Sequence, residues 1–158
     1  MEHFEEKEIA ALLKKFAALC AKRECAPSEI ELKLADYPEE IRRLIVEKLK
    51  EENFLSESRF AEAYVKDKFR FNQWGKKKIA LMLRKQGIGD EEIKNALAQI
   101  KKTEYVNLAE KLLQQKLRQI TGKSVQQQRA SLLRFGLSRG FEAELLTLLI
   151  KKLTAVKK

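Results

Sequence analysis

Apolar residues recur every three to four positions along almost the whole chain, the period of a helix that buries one face. Ile9, Leu12, Leu13, Phe16 and Cys20 trace such a face on a first helix. Ser28 and Glu31 then have the spacing of a capping box for a short second helix holding Ile30, Leu32 and Leu34. Pro38, with its fixed φ, suits the first turn of a third helix, where Ile41, Leu44, Ile45 and Leu49 share one side. Ser56 is placed to cap a fourth helix carrying Phe60, Tyr64 and Phe69. Gly75 breaks the pattern, and Ile79, Met82 and Leu83 define a fifth helix that ends at Gly87. Asp90 is expected to cap a sixth that buries Ile93, Ala96, Leu97 and Ile100. A seventh opens near Thr103 with Leu108, Leu112 and Leu117. Ser124 and Gln127 form a second candidate capping box for the eighth, after Gly122. Gly140 separates the eighth from a ninth with Phe141, Leu145, Leu146, Leu149 and Leu153. No segment alternates with the period of two that a strand needs, so the predicted fold class is all-α with no sheet.

The nine predicted helices fall into three sets of three. Leu12, Phe60 and Leu108 are each 48 residues apart, as are Phe16, Tyr64 and Leu112. Later in each set, Ile41, Ile93 and Leu146 are separated by 52 and 53. Gly87-Ile88 and Gly140-Phe141 close the middle helix of the second and third sets. The spacing predicts three tandem three-helix repeats, at residues 1–55, 56–102 and 103–158. A unit of about 50 residues buries too little surface to stand alone. Neighbouring units are therefore expected to share apolar faces in an elongated, curved array.

Charge is unevenly spread over this plan. The net +10 divides into −3 over residues 1–55, +6 over 56–102 and +7 over 103–158. A basic excess placed this way points to a polyanion or an acidic protein surface as partner. Six Gly and two Pro are too few for the many turns of a β-sandwich. Two Cys rule out a disulfide framework and fit a reducing compartment. The acidic start Met1-Glu2-His3-Phe4-Glu5-Glu6 is unlike a signal peptide, and the apolar run at Leu145–Ile150 is far short of a membrane span. These features predict a cytoplasmic protein that makes no use of a membrane; it is expected to be a monomer.

Familiar catalytic and cofactor chemistry finds no foothold. The only histidine is His3, which argues against a His-based triad. Cys20 and Cys25, without a second pair or a nearby His, make no zinc site and read as apolar filler and a loop thiol. No Gly-rich phosphate loop ends in Gly-Lys-Ser/Thr, and no dinucleotide fingerprint follows a strand. The pairs Glu51-Glu52 and Glu91-Glu92 read as solvated helix-end charge. The chain is therefore expected to be neither an enzyme nor a cofactor carrier.

What stands out is Phe69-Arg70-Phe71-Asn72-Gln73-Trp74-Gly75-Lys76-Lys77-Lys78, which interleaves aromatics with bases and then delivers three lysines at a helix start. Cations there oppose the helix macrodipole, so the placement suits a phosphate better than it suits the helix. The candidate contact residues are Arg70, Trp74, Lys76, Lys77 and Lys78, with Arg84 and Lys85 extending the stripe. In the third repeat they are Arg118, Lys123, Arg129, Arg134 and Arg139. Arginine's planar fork fits phosphate and carboxylate alike. For Phe71 and Trp74 themselves the ordinary expectation is packing on a neighbouring helix.

The run Phe54-Leu55-Ser56-Glu57-Ser58-Arg59-Phe60-Ala61-Glu62-Ala63-Tyr64-Val65 resembles the signature of the RecX regulatory proteins. So do Trp74-Gly75-Lys76-Lys77-Lys78-Ile79 and Leu83-Arg84-Lys85-Gln86-Gly87-Ile88, while Leu137-Ser138-Arg139-Gly140-Phe141 resembles that family's last repeat. The first repeat departs from the pattern, with Ala35-Asp36-Tyr37-Pro38 in place of a longer Gly-containing turn. The resemblance implies a bacterial protein of three helical repeats. Such proteins bind the RecA recombinase filament on single-stranded DNA and modulate it, usually by inhibition. It also implies binding to single-stranded DNA, and more weakly to duplex, without sequence preference. A sequence-specific helix-turn-helix DNA reader and a protein-only helical adaptor are the alternatives in other classes.

Overall fold

The computed structural model describes residues 5–155, and His3 lies outside them. Among the described residues are nine α-helices and no strand, as the apolar period requires. In chain order they are α1 (Glu6–Lys22), α2 (Pro27–Lys33), α3 (Glu39–Glu51), α4 (Glu57–Arg70), α5 (Lys76–Lys85), α6 (Asp90–Leu97), α7 (Lys102–Gln119), α8 (Val125–Ser138) and α9 (Ala143–Leu153).

The helix ends carry the local logic. Ser124 Oγ accepts from the Gln127 amide at 3.2 Å while Gln127 Oε1 accepts from the Ser124 amide at 3.1 Å, completing the expected box at α8. Ser56 Oγ accepts from the Arg59 amide at 3.2 Å at the start of α4. Ser28 does not cap α2. Ala26 holds that position and Pro27 opens the helix, which leaves the Ser28 hydroxyl free to donate to the Gln86 carbonyl at 2.7 Å. Pro38 precedes α3 rather than entering it. Asp90 stands inside the first turn of α6, where its carboxylate receives Arg84 Nε at 3.1 Å. Gly87 (φ 80°) ends α5 and Gly140 (φ 94°) ends α8 with one bonding pattern. In each the glycine amide reaches back three residues and the next amide reaches back five, to Leu83 and Gly136. The residues that follow, Ile88 and Phe141, are both buried.

By packing, the chain forms two compact units, and it passes between them within α4, α5 and α6. The first holds residues up to Ala63 together with Leu83–Lys94. Its core gathers Phe16, Cys20, Cys25, Ile30, Leu34, Ile45, Val46, Leu49 and Leu55. Only two of the three apolar residues expected on α2 reach it. Ile30 and Leu34 are four apart and inward, while Leu32 between them is 77% exposed. Cys25 does lie in the loop between α1 and α2, but it is fully buried there, and burial pushes its pKa up to about 12. The second unit holds Tyr64–Met82 and Asn95–Lys158. Its core is built on α7, α8 and α9 from Tyr105, Ala109, Leu112, Leu113, Ile120, Leu132, Phe141, Leu146, Leu149 and Ile150.

Candidate functional site

The second unit takes most of the positive charge. Over its residues 19 Lys/Arg face 5 Asp/Glu, against 14 and 18 in the first unit, so the balances are +14 and −4. No carboxylate occurs between Glu110 and Glu142.

Within this unit the turn between α4 and α5 is held from both sides. The Trp74 amide donates to the Lys68 carbonyl at 3.1 Å, and the Gly75 amide donates to the Arg139 carbonyl at 2.7 Å. Arg139 Nη1 returns a bond to the Asn72 carbonyl at 3.1 Å. Gln73 takes the left-handed conformation that closes the turn (φ 56°). The chains approach so closely that a Cβ on Gly75 would stand 2.4 Å from the Gly140 carbonyl carbon. Only glycine fits there.

This packing explains how three lysines tolerate a helix start. The Lys76 amide donates to Tyr105 Oη at 2.9 Å and the Lys77 amide to the Gly140 carbonyl at 3.0 Å. The first amides of α5 are thus occupied by the protein itself, so this helix start is not an open anion cradle. Tyr105 Oη in turn donates to Glu142 Oε1 at 2.7 Å, and burial followed by that bond raises its pKa. The lysine heads use aromatic faces. Lys78 Nζ lies 4.7 Å and Lys68 Nζ 5.3 Å from the Trp74 ring centroid, and Lys76 Nζ lies 4.9 Å from that of Tyr105. Arg70 and Lys77 are exposed.

Trp74, Lys76, Lys78 and Arg139 therefore come together around one turn, with Arg70 and Lys77 at its surface. The structure adds Lys68, legible in retrospect because it stands one helical turn after Tyr64, whose ring it also covers at 5.3 Å. It also corrects Phe71. Instead of packing on a neighbouring helix, its side chain is 80% exposed beside Arg70, because the pinned turn points it outward. Lys123 and Arg134 meet in a second place, a cavity shared with Lys116. Arg129 bonds Thr154 Oγ1 through Nε at 2.8 Å beside an apolar hollow lined by Leu133 and Ile150, and Arg118 is exposed on α7. Arg84 and Lys85 belong to the first unit, where Arg84 is paired with Asp90. No group of His, Cys, Asp and Glu among the described residues has the arrangement of a metal site. No described helix is long and apolar enough to cross a membrane.

Helices alone, with glycine-closed turns repeated in α5 and α8, define an all-α protein of the helical-repeat class. Residues 56–97 match the family model described as RecX, second three-helix domain. The protein named Regulatory protein RecX from Clostridium beijerinckii is 31% identical over 128 residues, covering 80% of this chain and 59% of that protein. Its namesake from Mycolicibacterium smegmatis is 32% identical over 93 residues, covering 59% of this chain and 50% of that one. The crystal structure of RecX from Lactobacillus salivarius superposes with a TM-score of 0.85, at 21% identity, over 96% of this chain and 100% of that chain. The chain is thus similar to RecX regulatory proteins in sequence, and its fold is that of a RecX crystal structure. It spans half to three fifths of the length of the curated relatives it matches.

Proposed function

We propose that the chain is a non-enzymatic regulator that binds the RecA filament formed on single-stranded DNA and restrains its ATPase, strand exchange and assembly in the cytoplasm. The +14 balance of the second unit carries this reading. Such a surface is drawn to the phosphates and acidic patches of a nucleoprotein filament, and a bound regulator obstructs incoming duplex. The outward Phe71 gives the same surface an aromatic face for unpaired bases, and Lys68 and Lys78 hold their charges over the Trp74 ring of the same turn. The division into repeats at 1–55, 56–102 and 103–158 belongs to this proposal, with the acidic first repeat as the part least suited to phosphate. RecA ATPase and strand-exchange assays test it with two double reversals of equal charge. Arg70→Glu with Lys77→Glu is expected to abolish regulation, because both residues are exposed in the basic unit. Lys14→Glu with Lys22→Glu, both exposed on α1 of the acidic unit, is expected to preserve it. Lys76 and Lys78 are poorer choices, since their heads also cover rings. Equal behaviour of the two variants refutes this surface as the contact, and no effect of the parent chain on RecA refutes the function.

A further inference from the structure

Between the C-terminal half of α7 and the face of α8 lies a concavity of about 410 Å³ lined by Lys116, Ile120, Lys123, Ser131, Arg134, Phe135 and Ser138. Three of these seven residues are cations and none is acidic. None of the three cations has a carboxylate within ion-pair distance among the described residues. The absence is built into the sequence, since the 31 residues from 111 to 141 hold seven Lys/Arg and no Asp or Glu. Three like charges lining one hollow, two of them exposed, repel each other, and an anion relieves that repulsion.

The hollow also has the hydrogen-bonding sense of an anion site. Ser131 is buried, and its hydroxyl accepts from Arg134 Nη2 at 3.4 Å, which leaves its own proton to donate. Ser138 cannot add to this, because its hydroxyl already donates to the Phe135 carbonyl at 2.7 Å. Lys116 and Lys123 flank the end of α7, where cations are favoured by the macrodipole in any case. Arg134 has no such reason, for it sits well inside α8. Ile120 and the Phe135 ring supply an apolar wall, and Lys116 Nζ is held 5.6 Å from that ring's centroid.

We propose that this pocket binds a phosphate group, with Arg134 as its fork, Lys116 and Lys123 as its point charges and Ser131 as its neutral donor. The ligand class is a phosphate ester, carried by a polynucleotide backbone or by a free nucleotide. The site needs neither RecA nor the turn around Trp74, so its test is independent of the filament reading. The full chain, labelled for amide NMR, is titrated with inorganic phosphate and separately with chloride at matched ionic strength. Saturable shifts confined to the amides of Lys116, Lys123, Ser131 and Arg134 are expected with phosphate only. Arg134→Gln, which removes a charge-assisted contact, is expected to weaken binding roughly tenfold. Lys123→Gln serves the same purpose if the first variant loses its native spectrum, and Lys111→Gln, exposed on α7, is the control expected to bind as the parent does. A short oligothymidylate that displaces phosphate assigns the group to a backbone, and displacement by a mononucleotide alone assigns it to a free nucleotide. Shifts that never saturate, that chloride reproduces, or that both pocket variants retain at parental affinity overturn the site.

Discussion

Phe71 stands 80% exposed on a turn whose backbone is bonded before and after it, so its exposure is imposed by the pinning and not by slack. Aromatic stacking on an unpaired base contributes about 1–3 kcal/mol. Phe71→Ala is therefore expected to weaken binding to oligothymidylate by roughly five- to hundredfold. It removes no charge, so the salt dependence stays unchanged and duplex affinity moves little. Anisotropy titrations at several salt concentrations measure both, and an equal loss on duplex refutes stacking. Local sequence gave the aromatic–basic alternation but not the direction of the ring, because that direction is set by Arg139, 67 residues away, bonding to Asn72. Cys25 misled in the opposite sense. Its position between two helices reads as loop, yet it is fully buried with its pKa pushed up to about 12 by burial. In the unfolded chain that thiol ionises from its ordinary value of 9.0, so the unfolded state binds fewer protons between there and 12. The stability it contributes is whole below pH 9.0 and falls as pH rises, by about 1.4 kcal/mol per pH unit for one group. Urea midpoints measured between about pH 8 and about pH 10 are expected to decline less steeply in Cys25→Ala than in the parent.

Among the elements, the helix count and the serine caps at Ser56 and Ser124 are local matters of apolar period and cap spacing, and both were legible. The Ser28 box was not, because Pro27 claimed the helix start and the hydroxyl found a carbonyl 58 residues away. The same distinction separates two glycines that look alike in sequence. Gly87 and Gly140 both end helices at positive φ, but a Cβ on Gly87 meets nothing within 4 Å. One on Gly140 would stand 2.3 Å from Lys78 Cβ and 2.7 Å from its amide nitrogen. Gly87→Ala therefore carries only the left-handed backbone penalty, about 1–2 kcal/mol. Gly140→Ala adds an overpacking cost of about 1–3 kcal/mol, because the α5 backbone must move. Thermal melts are expected to rank parent above Gly87→Ala above Gly140→Ala. Equal losses contradict the close approach of α5 to the turn after α8.

For the whole molecule, the asymmetry of charge was visible along the chain, and packing sharpens it. The sequence steps from −3 to +6 and +7, whereas the compact units carry −4 and +14. The sharpening comes from α4 and α5. Their basic stretch, from Lys66 through Lys78, packs with the third set of helices, while acidic Glu57 and Glu62 and the helix ends at Arg84 to Lys94 stay with the first unit. No periodicity reveals that partition, since it depends on which buried faces meet. If the basic unit meets DNA through phosphates, binding is governed by counterion release. With about four to six contacts, log affinity for single strands is expected to fall against log salt with a slope near −3 to −4. The contacts carry no base information, so scrambled oligonucleotides of equal length are expected to bind alike. A helix-turn-helix reader would instead hold one duplex sequence far more tightly, by about 1–3 kcal/mol for each base pair it reads. A protein-only adaptor would ignore DNA even at low salt. Filter-binding of scrambled single strands and a randomised duplex pool, each across a salt series, separates the three. A steep slope with no sequence enrichment supports the phosphate-bound regulator, and enrichment of one duplex or a flat response rejects it.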